Sequence, residues 1–263
     1  MSLYEDKRNP DLFLKQIMES EKEQKRKGRL KIFFGYAAGI GKTYAMLSSA
    51  HKAKESGIDV VAGYIEPHTR PETMALTEGL EMLPPRKISY NNIELKEFDL
   101  EAALIRKPEI LLVDELAHTN AAGSRHEKRY QDIKELLRAG INVYTTVNVQ
   151  HLESLNDSIA GITGVMVRER IPDSVFDEAD QVELVDIEPE ELLERMKQGK
   201  IYGEKQASRA MYHFFTKENL VSLREIALRR MADRVNLAQE AISNGGAETV
   251  EHILICLSPS PSN

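Results

Sequence analysis

The sequence predicts an α/β fold built on a doubly wound, mostly parallel sheet. Three observations carry that expectation. Short apolar runs alternate with stretches of helical length over roughly residues 31–187, the rhythm of repeated strand–helix units. The run Ile110-Leu-Leu-Val113 is continuously apolar, as a strand covered on both faces must be. A glycine-rich segment follows the first apolar run and opens the first helix, a junction at which such sheets hold ligands.

Residues 1–28 form a polar lead-in. Within it, Pro10 and Asp11 precede Leu12, Phe13, Leu14, Ile17 and Met18, a short amphipathic helix, and Glu21 to Arg29 is a charge run. Lys31 to Gly35 is the first strand, and a helix runs from Lys42 to Glu55 with Gly57 closing it. Val60 to Ile65 is the next strand. Pro71 to Glu81 reads as a helix with proline in its first turn, broken by Pro84 and Pro85. Lys87 to Tyr90 and Ile93 to Phe98 alternate apolar and polar residues around Asn91-Asn92, which predicts a β-hairpin insertion. Further helices are expected at Leu100 to Arg106, Lys128 to Arg138 and near Leu152 to Ile159, and further strands at Ile110 to Val113, Ile141 to Val147, Val165 to Val167 and Val182 to Val185.

Beyond Pro189 the chain turns helical, with helices at Pro189 to Gln198, Ser208 to Phe215 and Thr216 to about Ile242. Thr216 supplies the N-cap of the last, and Asn244-Gly-Gly246 ends it. Glu251 to Leu257 reads as the opening strand of something new. The chain therefore divides into a lead-in (1–28), a ligand-binding domain (29–187), a helical extension (188–245) and the start of a further domain (246–263).

Bulk properties exclude several classes of function. With 263 residues, 41% of them apolar, the chain has material for a substantial core. A net charge of −7 argues against a nucleic-acid partner, which requires a basic face. The single cysteine, Cys256, forbids an internal disulfide and fits a reducing cytoplasm. No run reaches the ~18 apolar residues of a membrane helix, and the charged N-terminus is not a secretory signal. A cytoplasmic chain with no membrane segment is expected. There is no zinc pattern, nucleophile elbow or Cys/His pair.

The chemistry concentrates in two places. Gly35-Tyr-Ala-Ala-Gly39-Ile-Gly41-Lys42-Thr43 lies between a strand and a helix, the context of a phosphate-binding P-loop. Its glycines let several backbone N–H groups turn toward one oxyanion, and the helix N-terminus adds partial positive charge. Lys42 reaches β- and γ-phosphates, and Thr43 offers a hydroxyl to Mg²⁺. The usual first glycine of the motif falls at Tyr36 here, with glycine one residue earlier at Gly35. The rival dinucleotide fingerprint fails, because no Gly-x-Gly-x-x-Gly is present in this loop. The second place is Ile110-Leu-Leu-Val-Asp114-Glu115, where a buried strand delivers two acids to the sheet edge. Asp114 is the expected Mg²⁺ carboxylate and Glu115 the candidate catalytic base that orients or activates water. The sheet is thus of P-loop NTPase type and the expected ligand is Mg-ATP. Predicted nucleotide contacts are Gly39, Ile40, Gly41, Lys42, Thr43, Tyr44 and Asn148, and predicted metal ligands are Thr43 and Asp114.

Other residues near strand ends have a functional reading beside a plainer one of loop solvation or capping. Glu66, His68 and Arg70 follow the second strand. Thr119, Asn120, Ser124 and Arg125 would form a phosphate-sensing switch, with Arg125 as an arginine finger. Asn148 and Gln150 would contact a γ-phosphate or water, and His151 is either a helix N-terminal residue or functional. Arg224, Arg229, Arg230 and Arg234 on the long helix would meet an acidic partner or anionic lipid, unless they are only a solvated face.

Four segments together carry a family likeness: Gly35 to Thr43, Leu112-Val-Asp-Glu-Leu-Ala-His-Thr-Asn120, Gly123-Ser-Arg-His-Glu-Lys-Arg-Tyr-Gln-Asp132 and Val143-Tyr-Thr-Thr-Val-Asn-Val-Gln-His-Leu-Glu-Ser-Leu-Asn156. Over about residues 26–236 the chain resembles the N-terminal cytoplasmic domain of the KdpD family, osmosensitive potassium sensor histidine kinases. The displaced first glycine is a trait of that family. The resemblance implies an ATP-binding regulatory domain, followed in full-length members by a universal-stress-protein-like domain, four membrane helices and a histidine kinase transmitter. That transmitter, present in cis or trans, phosphorylates the response regulator KdpE, and the N-terminal domain tunes its kinase/phosphatase balance. Residues 246–263 would be the start of a truncated stress-protein-like domain. The chain carries no phosphoacceptor histidine box and no transmitter ATP-lid motif, so it is not itself a histidine kinase and is at most a slow ATPase. The alternatives are a stand-alone P-loop ATPase and a partner-binding scaffold.

Overall fold

The computed structural model describes residues 27–67, 71–90, 93–198, 214–243 and 254–257. Its frame is an all-parallel central sheet, as the uninterrupted apolar runs require. The strands are β1 (Leu30–Gly35), β2 (Val60–Tyr64), β3 (Glu81–Met82), β6 (Ile110–Val113), β7 (Asn142–Asn148) and β8 (Gln181–Val185), in spatial order β3-β2-β6-β7-β1-β8. The chain starts near one side with β1, winds through β2 and back to β7, then crosses to β8, so the sheet is doubly wound about β1. Ile32, Phe33, Phe34, Leu111, Leu112 and Val143 are inaccessible to solvent, and the core lies on both faces of these strands.

Helix α1 (Lys42–Glu55) packs across β1, β7, β2 and β6. Gly57, at φ 86°, ends its run as a glycine in left-handed conformation. Helix α3 (Leu100–Arg106) begins at Asp99, whose carboxylate accepts the Ala102 N–H at 3.0 Å, and packs on α4 (Arg129–Arg138). The predicted hairpin forms from β4 (Arg86–Tyr90) and β5 (Ile93–Glu97), an antiparallel pair outside the central sheet.

Three expectations are corrected. The helix expected to reach Glu81 is α2 and stops at Ala75 (Pro71–Ala75), giving way to turns and then to β3 beside β2. Thr77 contributes by donating its hydroxyl to the Met74 carbonyl at 2.7 Å, and Gly79 leaves helical geometry at φ 78°. Val165 to Val167 is not a strand. Among the described residues it has no strand to pair with, Val165 and Met166 are exposed, and the Asn156 amide holds the Val167 carbonyl at 3.0 Å. The helix expected near Leu152 becomes two 3-10 turns, Val149–His151 and Glu153–Leu155, followed by α5 (Asn156–Thr163). Leu152 is extended there because it bridges to Ile171.

The segment after α5 adds α6 (Asp173–Asp177), β8 and α7 (Pro189–Lys197), and the long α8 (Lys217–Ser243) packs on α7 and α5. Thr216 caps α8 as expected, its hydroxyl accepting the Asn219 N–H at 3.2 Å. The strand expected to open a further domain, β9 (Leu254–Leu257), pairs in parallel with β8. The lead-in helix before residue 27 and nearly all of the helix expected at Ser208 to Phe215 lie outside the described residues, as does the boundary at residue 246.

Candidate functional site

The site forms where β1, β7 and β6 end side by side, because parallel strands deliver their carboxyl ends to one edge. Gly35 ends β1 in register with Asn148 of β7. A Cβ on Gly35 would lie 2.0 Å from Ile40 Cδ1 and 3.0 Å from the Val185 carbonyl oxygen. The loop therefore folds back on β1 with Ile40 sealing the core, and this close approach requires glycine at 35. Position 36 takes a side chain readily, since Tyr36 is buried and donates its hydroxyl to the Ile187 carbonyl at 3.0 Å. Gly39 and Gly41 adopt φ 93° and 105°, conformations an L side chain resists.

Lys42 and Thr43 open α1 and are both buried. Lys42 Nζ donates to the Ala37 carbonyl at 2.9 Å, which wraps the loop around the ammonium. Thr43 Oγ1 donates to Asp114 Oδ2 at 3.1 Å. Asp114 is 1% exposed at the end of β6, and its other oxygen accepts the Thr146 hydroxyl from β7, the strand between β6 and β1. Threonine, aspartate and threonine thus tie three adjacent strand ends together.

Glu115 takes a left-handed backbone at φ 61°, costly for a residue with a Cβ. Its N–H is held by Thr146 Oγ1 and Asp114 Oδ1, each at 3.2 Å. Burial first, then the charges of Asp114 and Glu66, push its carboxyl up to about 7. A carboxyl in that range exchanges a proton near neutral pH.

A cleft of about 240 Å³ lies over these groups. Gly39, Gly41, Lys42 and Thr43 form one wall, Asp114, Glu115 and His118 another, and Asn148, Gln150, His151 and Glu169 a third. Asn148 Oδ1 and Gln150 Oε1 are buried without a hydrogen-bond partner. Unsatisfied amides in a polar cleft are groups that a ligand or its hydration would satisfy. His151 is held by the Glu169 carbonyl at 2.8 Å, and burial keeps its ring below the usual histidine range. The donor set suits a hydrated anion with a hard cation: one ammonium, helix-terminal N–H groups and a hydroxyl–carboxylate pair.

The remaining predicted residues divide. The Ile40 side chain is in the core, so only its backbone belongs to the loop. Tyr44 is 45% exposed and does not line the cleft, because one helical step past Thr43 turns a side chain by about 100°. Glu66 is not among the residues lining the cleft and accepts the Tyr64 hydroxyl at 2.8 Å. His68 and Arg70 fall outside the described residues. The expected switch is corrected. Asn120 is structural, its amide donating to Asp132 at 2.7 Å and to the His126 carbonyl at 3.0 Å. Ser124 closes a turn onto the Ala121 carbonyl. Arg125 is no arginine finger, since it pairs with Glu101 and Glu135 away from the cleft. Thr119 gives its N–H to Glu169 at 2.9 Å. Sequence reasoning missed Thr146, His118 and Glu169. Thr146 was accessible, as it sits two residues before Asn148 and so on the same strand face. Glu169 was not, because it lies on a segment with no motif.

Residues 26–235 match the family described as the KdpD osmosensitive K⁺ channel His kinase sensor domain. The chain belongs to the KdpD family. A sensor protein KdpD from Clostridium acetobutylicum is 58% identical over 268 residues, covering 100% of this chain and 30% of that protein. The KdpD sensor of Escherichia coli is 52% identical over 254 residues, covering 95% of this chain and 28% of that protein. A putative KdpD sensor from Synechocystis is 48% identical over 240 residues and 90% of this chain, and here the matched region is 65% of the relative. The chain thus spans under a third of the first two KdpD relatives. Among the described residues no helix is long and apolar enough to cross a membrane.

Proposed function

We propose that this KdpD domain binds Mg-ATP in the cleft and regulates a two-component potassium sensor, setting its kinase/phosphatase output toward the response regulator KdpE. One observation carries the reading: Lys42, Thr43 and Asp114 converge at a helix N-terminus beneath a cleft that also holds two amide oxygens without a hydrogen-bond partner. Phosphate oxygens would replace the Ala37 carbonyl as partners of Lys42 and take the N–H groups of the loop. Thr43 and Asp114 would hold Mg²⁺, whose charge neutralises the terminal phosphates. Membership of a sensor family supports the regulatory role.

Calorimetry with Mg-ATP tests this on the wild type and Lys42→Ala. Wild-type binding is expected, with a loss of at least ~30-fold, or about 2 kcal/mol, in the variant. Absence of binding to the wild type at millimolar nucleotide would overturn the proposal.

A second reading, slow hydrolysis, is favoured by the proton affinity of Glu115. Glu115 would accept a proton from water at neutral pH. Phosphate release is then expected in the wild type and lost in Glu115→Gln, while the variant still binds nucleotide. Turnover equal to that in buffer alone rules hydrolysis out.

A further inference from the structure

The β4–β5 hairpin stands apart from the central sheet, its strands paired from Arg86↔Glu97 to Tyr90↔Ile93 with no third strand among the described residues. Arg86, Lys87, Ser89, Glu94 and Lys96 are exposed. Its root is different. Glu97, the last residue of β5, is 6% exposed, and Phe98 beside it reaches to 2.8 Å from where a Cβ on Gly63 would stand. A carboxylate so buried demands partners.

Glu97 has three, and all come from the segment that follows Asp114. His118 Nε2 lies 3.1 Å from each Glu97 oxygen, the Ala121 N–H donates at 2.9 Å and Arg129 donates at 3.2 Å. His118 itself lines the cleft. Arg129 is wholly buried, lies over the Tyr64 ring at 4.3 Å, and donates its other terminal nitrogen to the backbone carbonyl of Asp114 at 2.9 Å. A counterion for Arg129 would need only the arginine. Glu97 instead reads three points of one loop, including a wall of the cleft and, through Arg129, the backbone of the acidic pair. Burial opposes its charge, but the His118 and Ala121 hydrogen bonds and the Arg129 charge hold its carboxyl below the usual range.

We propose that Glu97 is a positioning residue of the cleft and that through it the β4–β5 hairpin responds to the phosphate ligand bound at Lys42. The ligand identity rests on the nucleotide reading above. A ligand that moves His118 or the Asp114 backbone shifts the donors of Glu97, and the hairpin root follows, since leaving a buried carboxylate without its donors is costly. The hairpin is then the surface on which occupancy becomes visible to a partner.

The test is backbone amide exchange over residues 86–97 in the full chain, free and saturated with Mg and a non-hydrolysable adenosine triphosphate analogue, with saturation established by calorimetry. In the wild type, saturation is expected to change hairpin exchange at least threefold. Glu97→Gln should weaken binding about threefold to tenfold and, at saturation, show no ligand-dependent change in the hairpin, whereas Glu97→Asp should restore part of it. A purely structural role would alter exchange in both states equally and leave the difference intact, which overturns the proposal. Should Glu97→Gln fail to fold, His118→Ala decides, since loss of the response supports the coupling and a full response overturns it. Wild-type binding without any change in the hairpin overturns the coupling alone. Absence of wild-type binding overturns the nucleotide reading and the coupling together.

Discussion

At the scale of single residues, Glu115 shows a site held against its own stability. Its backbone is left-handed and its carboxyl is pushed up to about 7, from 4.5 for an unperturbed glutamate. Between those values the folded state binds a proton that the unfolded chain has released, so stability falls as pH rises through that window and levels off above it. The gap corresponds to about 3 kcal/mol at most. In metal-free buffer Glu115→Gln is therefore expected to be about 1–3 kcal/mol more stable than wild type at pH 8 and no more stable at pH 4. Urea midpoints at the two values measure this, and equal differences at both would contradict it. The candidate role of Glu115 was legible in sequence, because an acid pair ends an apolar strand. Its proton affinity was not, because the burial that raises it most, and the charge of Glu66 that adds to it, arise only after β2 and β6 come together.

At the scale of elements, α8 shows why a charge pattern alone misleads. Four arginines on this helix read as a surface for an acidic partner, and the fold uses three of them internally. Arg224 binds Asp186 and Glu188. Arg230 binds Asp177 at 2.5 Å and lies over the Phe176 ring. Arg234 continues the buried stripe of Leu220, Leu223, Ala227 and Met231 and donates to the carbonyls of Phe176, Asp177 and Ala179 at the end of α6. Only Arg229 is well exposed among them, paired with Glu225 one turn away. Arg234→Ala would leave buried carbonyls without donors and is expected to cost about 2–4 kcal/mol. Arg229→Ala should change stability by less than about 0.5 kcal/mol. Thermal or urea unfolding distinguishes the two, and equal effects would refute the internal, structural role of Arg234.

At the scale of the whole molecule, strand order makes the site. Lys42 and Thr43 follow β1 and Asp114 follows β6, yet these strands are not neighbours. β7 lies between them and contributes Thr146 to both oxygen-rich groups, its hydroxyl donating to Asp114 and accepting the Glu115 N–H. Thr146→Val preserves volume closely but removes that hydroxyl. Under the proposed nucleotide reading, Mg-ATP affinity is expected to fall about tenfold, or ~1.4 kcal/mol, with the fold retained. Calorimetry together with an unchanged far-ultraviolet circular dichroism spectrum checks this, and unaltered affinity would show that Thr146 does not support the acidic pair.

The sequence by itself determined the local chemistry of this KdpD domain. The strand–loop–helix with Gly39, Gly41, Lys42 and Thr43, the apolar strand ending in Asp114 and Glu115, the hairpin around Asn91-Asn92 and the Thr216 cap are all written in contiguous residues, where backbone and side-chain preferences act within a few positions. Only the tertiary structure decided which distant residues meet. Thr43 and Asp114, 71 positions apart, become hydrogen-bond partners because parallel strands carry their carboxyl ends to one edge. β3 exists because β2 has an open edge, Val165 to Val167 stays irregular because no strand among the described residues lies beside it, and Glu97 is buried because the loop after β6 closes over the hairpin root. Those outcomes depend on non-local burial and pairing, which no window of sequence contains.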